Sequence, residues 1–284
     1  ALPIFRLMSA SSKRKRVLSR IAIGLVITSF LAVLADSLVA ARTEHGVSQT
    51  LYEASNLPTP PAVEVAGFPY VSAAFTHELP SITVTAQDVD VPGWGLMSVQ
   101  SSAQYVTVSA EDVFNGTIED SPSRKVFTRL QLDGVSIGSR MGIDDLMIQN
   151  LEDISPRGGW ETEAVFEGTP KGFAQPVTVE MKLRVREGRV RLSPESIVKA
   201  PKAKDSSDAR VAEDHLPAIT KQEILDAFQL DVGAESLPLK GQPIRVYVAG
   251  GSVFIESEQF YTSVSIEDLM PYTRPLPEEE EPGL

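Results

Sequence analysis

Apolar positions form one long run near the N-terminus and alternate with polar positions in most of the remaining chain. Residues 21–35 carry no charge and apolar character resumes over 38–41, with Asp36 as the single charge in this stretch. A membrane-spanning helix needs about 20 mostly apolar residues. The pattern predicts a transmembrane helix at 21–41, with Asp36 near the outer interface because a carboxylate at mid-bilayer would cost several kcal/mol.

From residue 62 onward the alternation of apolar and polar residues is typical of half-buried β-strands. Two pairs of runs flank Glu187-Gly188 and Gly250-Gly251, which favour hairpins because glycine tolerates a positive φ. One face of the resulting antiparallel sheet is polar and the other apolar. The predicted strands lie at 62–66, 81–86, 87–91, 104–109, 125–132, 178–186, 189–192, 244–248 and 252–255.

Helical patterns are fewer, and they supply cover for the apolar face of the predicted sheet. A short helix at 42–57 continues the transmembrane segment and is stopped by Pro58, Pro60 and Pro61. A helical turn at 110–114 ends at Asn115-Gly116. Two further helices are predicted near 140–152 and 217–230, a loop at 199–214, and a disordered acidic tail over 271–284. The fold class is therefore α+β.

Charge is distributed unevenly along the chain. The first twenty residues carry six basic side chains and no acidic one, although the net charge of the whole chain is −12. Basic residues stay on the cytoplasmic side. Residues 1–20 are therefore predicted to be cytoplasmic, residues 21–41 to be a signal anchor, and the domain at 42–270 to be extracytoplasmic in the cell membrane. A cleaved signal peptide ending at Val39-Ala40-Ala41 is the alternative. A helix buried in a soluble core rarely follows a basic block such as Lys13–Arg16.

Composition and motifs exclude several classes of protein. The 284 residues include 42% hydrophobic residues and no cysteine, so a sizeable core is expected and disulfides and thiolate chemistry are excluded. The acidic balance disfavours a nucleic-acid partner. The three histidines lie far apart, and neighbouring carboxylates such as Asp144-Asp145 point to different faces. We predict no catalytic residue, no metal site and no cofactor.

One segment resembles a known family. Residues 62–70 read Ala-Val-Glu-Val-Ala-Gly-Phe-Pro-Tyr, which is similar to the V-x-V-x-G-F-P-F-L signature of actinobacterial LmeA-like phospholipid-binding proteins. The order of the predicted elements is also similar, over residues 42–270. The resemblance implies a tubular lipid-binding (TULIP-like) fold, in which a strongly curved antiparallel sheet wraps around helices and leaves an elongated apolar groove.

The resemblance also implies a function that needs no catalytic residue. Each methylene buried in a groove is worth about 0.8 kcal/mol, so apolar lining suffices to hold a phospholipid. We expect a membrane-anchored, non-catalytic lipid-binding protein on the periplasmic side, with membrane lipid as its partner. The alternative is an accessory subunit that docks on other integral membrane subunits, as in the actinobacterial cytochrome bc–oxidase supercomplex. The expected groove-lining residues, which would otherwise pack the core, are Phe68, Pro69, Tyr70, Val71, Phe75 and Met97.

Overall fold

The computed structural model describes residues 10–152, 161–205 and 209–271, with side chains described from residue 18 onward and Glu152 excepted. Most of the predicted acidic tail, residues 272–284, lies outside these ranges, as do residues 1–9 of the basic N-terminus.

A single helix, α1 (Ala10–Glu53), accounts for both the predicted transmembrane segment and the helix predicted after it. The helix contains no proline, and the proline-rich segment after it prevents its continuation. Residues 18–35 are exposed throughout, whereas Asp36 and the residues after it begin to pack on the rest of the chain. Among the described residues, the stretch Leu18–Glu53 is long and apolar enough to cross a membrane.

Eleven strands within the described residues form two antiparallel sheets. The first sheet has the order β1-β2-β3-β4-β11-β10, the second has the order β5-β6-β7-β8-β9, and β10 lies against the second sheet. The strands are β1 (Ala62–Ala66), β2 (Glu78–Val91), β3 (Gly95–Thr107), β4 (Ser121–Leu132), β5 (Met147–Glu152), β6 (Glu161–Gly168), β7 (Val177–Arg186), β8 (Arg189–Lys199), β9 (Leu230–Gly233), β10 (Pro243–Ala249) and β11 (Ser252–Val264).

The remaining helices are short: α2 (Ala73–Thr76), α3 (Ala110–Asn115), α4 (Gly134–Met141) and α5 (Ala218–Ala227). Single 3₁₀ turns lie at Tyr70–Ser72, Glu213–His215, Ala234–Ser236 and Ile266–Leu269. Helix α3 has a capping box between Ser109 and Asp112. Its C-cap is Gly116, whose φ is 69°, which confirms the predicted end of this helical turn at Asn115-Gly116.

The predicted helix at 140–152 is wrong. Helix α4 begins earlier, at the N-cap Asp133, and ends at Met141 because Gly142 has a left-handed φ of 74°. Residues 147–152 form strand β5, which pairs with β6. The helix predicted at 217–230 also ends early, at Ala227, and Leu230–Gly233 forms strand β9 instead.

The predicted hairpins are confirmed, and the turn residues have the backbone conformation that the sequence requires. Glu187 and Gly188 have φ values of 52° and 70°, and Gly250 and Gly251 have values of 57° and 83°. The two strands predicted at 81–86 and 87–91 are one strand, β2, with an irregular register between Ala86 and Val89.

One face of the first sheet carries two hydrophobic cores in succession, which confirms an α+β fold built on a curved antiparallel sheet. At one end this face packs against helix α1, and at the other end it packs against the second sheet, α4 and α5. We call these the helix-side core and the sheet-side core. The helix-side core includes Val47, Leu51, Ile82, Ala103 and Val126, and the sheet-side core includes Val99, Leu130, Phe166, Met181 and Ile255. The sequence predicted one sheet; the second sheet replaces much of the helical cover expected there.

Candidate functional site

The C-terminal half of helix α1 is joined to the first sheet by hydrogen bonds at three levels. The Asp36 carboxylate, only 7% exposed, accepts the backbone N–H groups of Tyr70 at 2.8 Å and Val71 at 2.9 Å. Glu44 accepts the N–H of Val65 at 2.9 Å, and Ser48 donates to the Pro61 carbonyl at 2.6 Å. Helix α1 therefore runs antiparallel to β1, with Asp36 level with residues 70–71.

Residues 68–76 and helix α3 form what we call the base of the domain. Tyr70 is buried here, and its hydroxyl donates to the Val113 carbonyl at 2.6 Å. Burial raises the pKa of the Tyr70 hydroxyl above its ordinary value. Val71 is half-buried and Pro69 is exposed. Tyr70 thus links residues 68–76 to helix α3 inside the base.

The other expected groove residues lie in different environments. Phe68 and Phe75 point outward from the base, with 70% and 83% of their surface exposed. Met97, on β3, is 3% exposed and belongs to the sheet-side core together with Trp94. The structure therefore brings five of the six residues together at the base and places Met97 elsewhere. A lipid-contacting role for them stays a prediction.

The space beneath helix α1 near Tyr70 is filled by side chains. The gap bordered by Thr43, Val47, Tyr70, Val113 and their neighbours has a volume of about 10 Å³. A water molecule needs roughly 10–15 Å³ of such space, so an acyl chain has no room there. A lipid groove at this end would require helix α1 to move.

A larger cleft lies beside the C-terminal end of helix α1, between the helix-side core and the sheet-side core. Its volume is about 580 Å³, within the range of about 300–1,000 Å³ that is common for small-molecule sites. Four separate segments of the chain contribute to it. The cleft is lined by Leu51, Ala54, Ser55, Ser101, Leu237, Pro238, Leu239, Lys240, Glu267, Met270 and Pro271.

A row of small hydroxyl side chains reaches the cleft at Ser101. Ser101, Thr128 and Ser257 are cross-strand neighbours on β3, β4 and β11 and are all at most 2% exposed. They lie between the two cores on the same face of the sheet. Large apolar side chains occupy this face on both sides of the row, and the small side chain of Ser101 forms the part of the cleft wall that the sheet supplies.

The wall formed by residues 237–240 is held in place by three hydrogen bonds. The Trp94 indole donates to the Ser236 carbonyl at 2.9 Å, and the Ser257 hydroxyl donates to the Lys240 carbonyl at 2.6 Å. The Lys240 ammonium donates to Asp268 at 2.9 Å, linking this wall to the opposite one. The Ser265 backbone N–H lowers the pKa of Asp268, and Lys240 adds to that effect.

A second cleft of about 500 Å³ adjoins the first along the same helix. It is bordered by Gly46, Val47 and Thr50 of helix α1, by residues 115–120 and by Ser265–Glu267, and Glu267 lines both clefts. Together the two clefts follow helix α1 from residue 46 to its end at residue 53, which is about 10 Å at 1.5 Å per residue.

Sequence reasoning missed this cleft, although one signal for it was present. The inward positions of β3 read Met97, Val99, Ser101 and Ala103, so small residues interrupt the apolar series at its middle. The chemistry of the cleft suits binding, because its lining combines apolar side chains with the charged groups of Lys240 and Glu267. Within the described ranges, no group of three or more His, Asp or Glu side chains is placed to hold a metal ion.

Comparison with known proteins gives one match. The model of the family described as LmeA-like phospholipid-binding matches residues 34–258. The matched region begins two residues before Asp36 and therefore includes the half of helix α1 that packs on the sheet. No curated protein and no solved structure matches the chain.

Proposed function

Since the chain belongs to the LmeA-like phospholipid-binding family, we propose that it holds a phospholipid in the cleft at the end of helix α1 while anchored in a membrane by residues 18–35. The observation that carries this proposal is the cleft itself: it is roomy and partly apolar, and it lies between two otherwise well-packed cores.

The lining of the cleft matches the two chemical parts of a phospholipid. Leu51, Leu237 and Met270 offer apolar contact for acyl chains, and each buried methylene contributes about 0.8 kcal/mol. Lys240 lies at the mouth, where its side chain is 44% exposed and can pair with a phosphate in place of Asp268. The bound lipid is the only ligand that this function requires, and no catalytic step is part of it.

The position of the cleft implies that the lipid leaves the bilayer. Fifteen residues of helix α1 separate Asp36 from Leu51, which places the cleft about 22 Å beyond the end of the apolar segment. A lipid in the cleft is therefore held clear of the membrane in a position from which it can be passed on. We propose a holding or transfer role on the extracytoplasmic side, because the basic residues before the helix keep the N-terminus cytoplasmic.

The packing of helix α1 supports an uncleaved anchor over a cleaved signal peptide. Cleavage after Ala41 would remove Asp36 and leave the N–H groups of Tyr70 and Val71 without their acceptor. A buried N–H group that loses its partner costs about 1–3 kcal/mol. The helix segment that a signal peptidase would remove is thus part of the folded domain.

The test is to count the lipids that leave the membrane with the protein. The full-length chain is purified in mild detergent and analysed by native mass spectrometry, beside Leu239→Trp, which fills the cleft, and the control Ile219→Trp, which changes an exposed residue of α5. We expect about one phospholipid on the wild type and on the control, and loss of most of it from Leu239→Trp. A wild type without lipid, or a cleft variant with unchanged occupancy, contradicts the proposal.

An accessory role in a larger membrane complex is the second candidate, and an aromatic patch favours it. Tyr105, Phe260 and Tyr261 are 47%, 60% and 87% exposed on the outer face of the first sheet, and the Arg124 guanidinium lies 4.9 Å from the Tyr105 ring. Aromatic residues and arginine are enriched in protein interfaces. Stoichiometric membrane subunits in the same purification would favour this role over a free lipid carrier.

A further inference from the structure

Three phenylalanine side chains surround the point where helix α1 leaves the domain. Phe68, Phe75 and Phe114 are 70%, 83% and 58% exposed. Single exposed apolar residues are common on protein surfaces, but a group of them at one end of a domain marks an interaction site. We call these three residues the phenylalanine ring.

Hydrogen bonds and packing attach the ring to helix α1 in the turns that begin at Asp36. Phe68 is two residues before Tyr70, whose backbone N–H donates to Asp36. The Tyr70 hydroxyl donates to the Val113 carbonyl, and Phe114 is the next residue. Phe75 lies on α2, which packs against both α3 and the 3₁₀ turn at Tyr70–Ser72. The ring is therefore attached to helix α1 between Asp36, near Phe68, and Thr43, which Gly116 approaches two residues after Phe114, and it is not an independent loop.

The length of the exposed helix places Asp36 at a membrane surface. Residues 18–35 are all exposed and span about 27 Å at 1.5 Å per residue, close to the roughly 30 Å hydrocarbon thickness of a bilayer. When this segment crosses the bilayer, Asp36 emerges at the boundary between acyl chains and headgroups. The phenylalanine ring, which begins at this level with Phe68, then faces the interfacial zone.

We propose that the phenylalanine ring inserts into the leaflet from which helix α1 emerges and seats the base of the domain on the lipid surface. The exposed Glu111, one helical turn before Phe114, and the exposed Arg42, on helix α1, limit the depth to the headgroup boundary because charged groups stay hydrated. The three phenylalanine side chains and helix α1 then attach the domain to the membrane at four points, which fixes its orientation and keeps the cleft at its height above the bilayer. The inference rests on the proposed membrane anchoring.

The experiment measures the depth of single probes in the full-length protein. The chain has no cysteine, so Phe68→Cys, Phe75→Cys and Phe114→Cys can each carry one NBD fluorophore without background. The proteins are reconstituted in vesicles of phosphatidylcholine and phosphatidylglycerol, with and without phosphatidylcholine that carries a doxyl group near the carboxyl end of its acyl chain. Leu31→Cys, in the exposed apolar helix, is the positive control, and Ile219→Cys, on α5, is the negative control.

We expect blue-shifted emission and loss of most fluorescence to the doxyl lipid at all three ring positions, and neither effect at Ile219. Ring probes that behave like the probe at Ile219, while the probe at Leu31 is quenched by deeper doxyl groups, would overturn the inference and leave the anchor intact. Ring probes that are blue-shifted but not quenched would also overturn it, because a protein partner and not lipid would then cover them. A probe at Leu31 that no doxyl group quenches would overturn the anchoring itself.

Discussion

The carboxylate of Asp36 is the most informative single group to alter. It is a buried charge on a helix that is otherwise apolar in this region, and it accepts two backbone N–H groups from a segment 34 residues away. Replacing Asp36 by Asn keeps the size of the side chain. The amide then offers one oxygen as an acceptor, and its NH₂ group faces the second N–H as a competing donor.

The expected cost follows from the two hydrogen bonds. Hydrogen bonds to a charged group contribute about 1.5–3 kcal/mol each, and a neutral replacement contributes about 0.5–1.5 kcal/mol. Val71 is half-buried, so water can replace part of its lost bond. We therefore expect the free energy of local opening at residues 70–71 to fall by about 2–4 kcal/mol, which lowers the protection of these amides roughly 30- to 1,000-fold.

Hydrogen exchange read by mass spectrometry on the full-length protein in detergent measures this directly, in a peptide covering residues 68–76. Glu53→Gln is the matched control, because it makes the same change of charge at an exposed position of the same helix. We expect faster exchange in Asp36→Asn only. If the peptide exchanges at the wild-type rate in Asp36→Asn, the carboxylate does not hold the base on helix α1, and the argument for an uncleaved anchor loses its support.

Two other predictions concern the stability of the base. Gly116→Ala should lower the free energy of unfolding by about 2 kcal/mol or more, because a Cβ there lies 2.9 Å from the Thr43 methyl and φ is +69°. Gly46→Ala should raise the free energy of unfolding by up to about 1 kcal/mol, because Gly46 has open space around it on helix α1. Thermal unfolding in detergent compares the two variants. Hydrogen bonds with the side chain and the backbone N–H of Ser109 lower the pKa of Asp112. The ionised Asp112 carboxylate therefore contributes stability above about pH 4, and this contribution is lost as the pH falls. Asp112→Asn should therefore flatten the fall in unfolding temperature between about pH 5 and pH 3, and an unchanged acid slope would contradict this assignment.

Local patterns in the sequence were sufficient for much of the architecture. The uncharged run over 21–35, the alternation along the strands and the Gly250-Gly251 turn each specify one element through the spacing of neighbouring residues. The short segment 62–70 indicated the family that the family model then confirmed. These features are encoded within about ten to twenty residues, the scale on which helical and strand periodicities act.

Failures occurred where a choice depended on distant partners. Residues 147–152 have apolar spacing that a helix could use, but they form a strand because β6 offers an edge for pairing. The residues expected to line a groove differ in burial, with Phe68 and Phe75 exposed and Tyr70 buried, while their contact with lipid stays a prediction. Which of these aromatic side chains is buried depends on where helix α1 lies, and helix α1 is far away in sequence.

The long apolar helix, the antiparallel strands, their hairpins and the family could all be inferred from the amino-acid order, because each depends on local periodicity or a short motif. The contact of Asp36 with the base and the open space beside Leu51, Ser101 and Leu239 emerge only in the folded chain. That cleft lies beside the end of helix α1, where the chain segments at residues 237–240 and 267–271 meet the small side chain of Ser101. How far two packed layers extend relative to each other is a property of the assembled fold, and no single segment of the chain determines it.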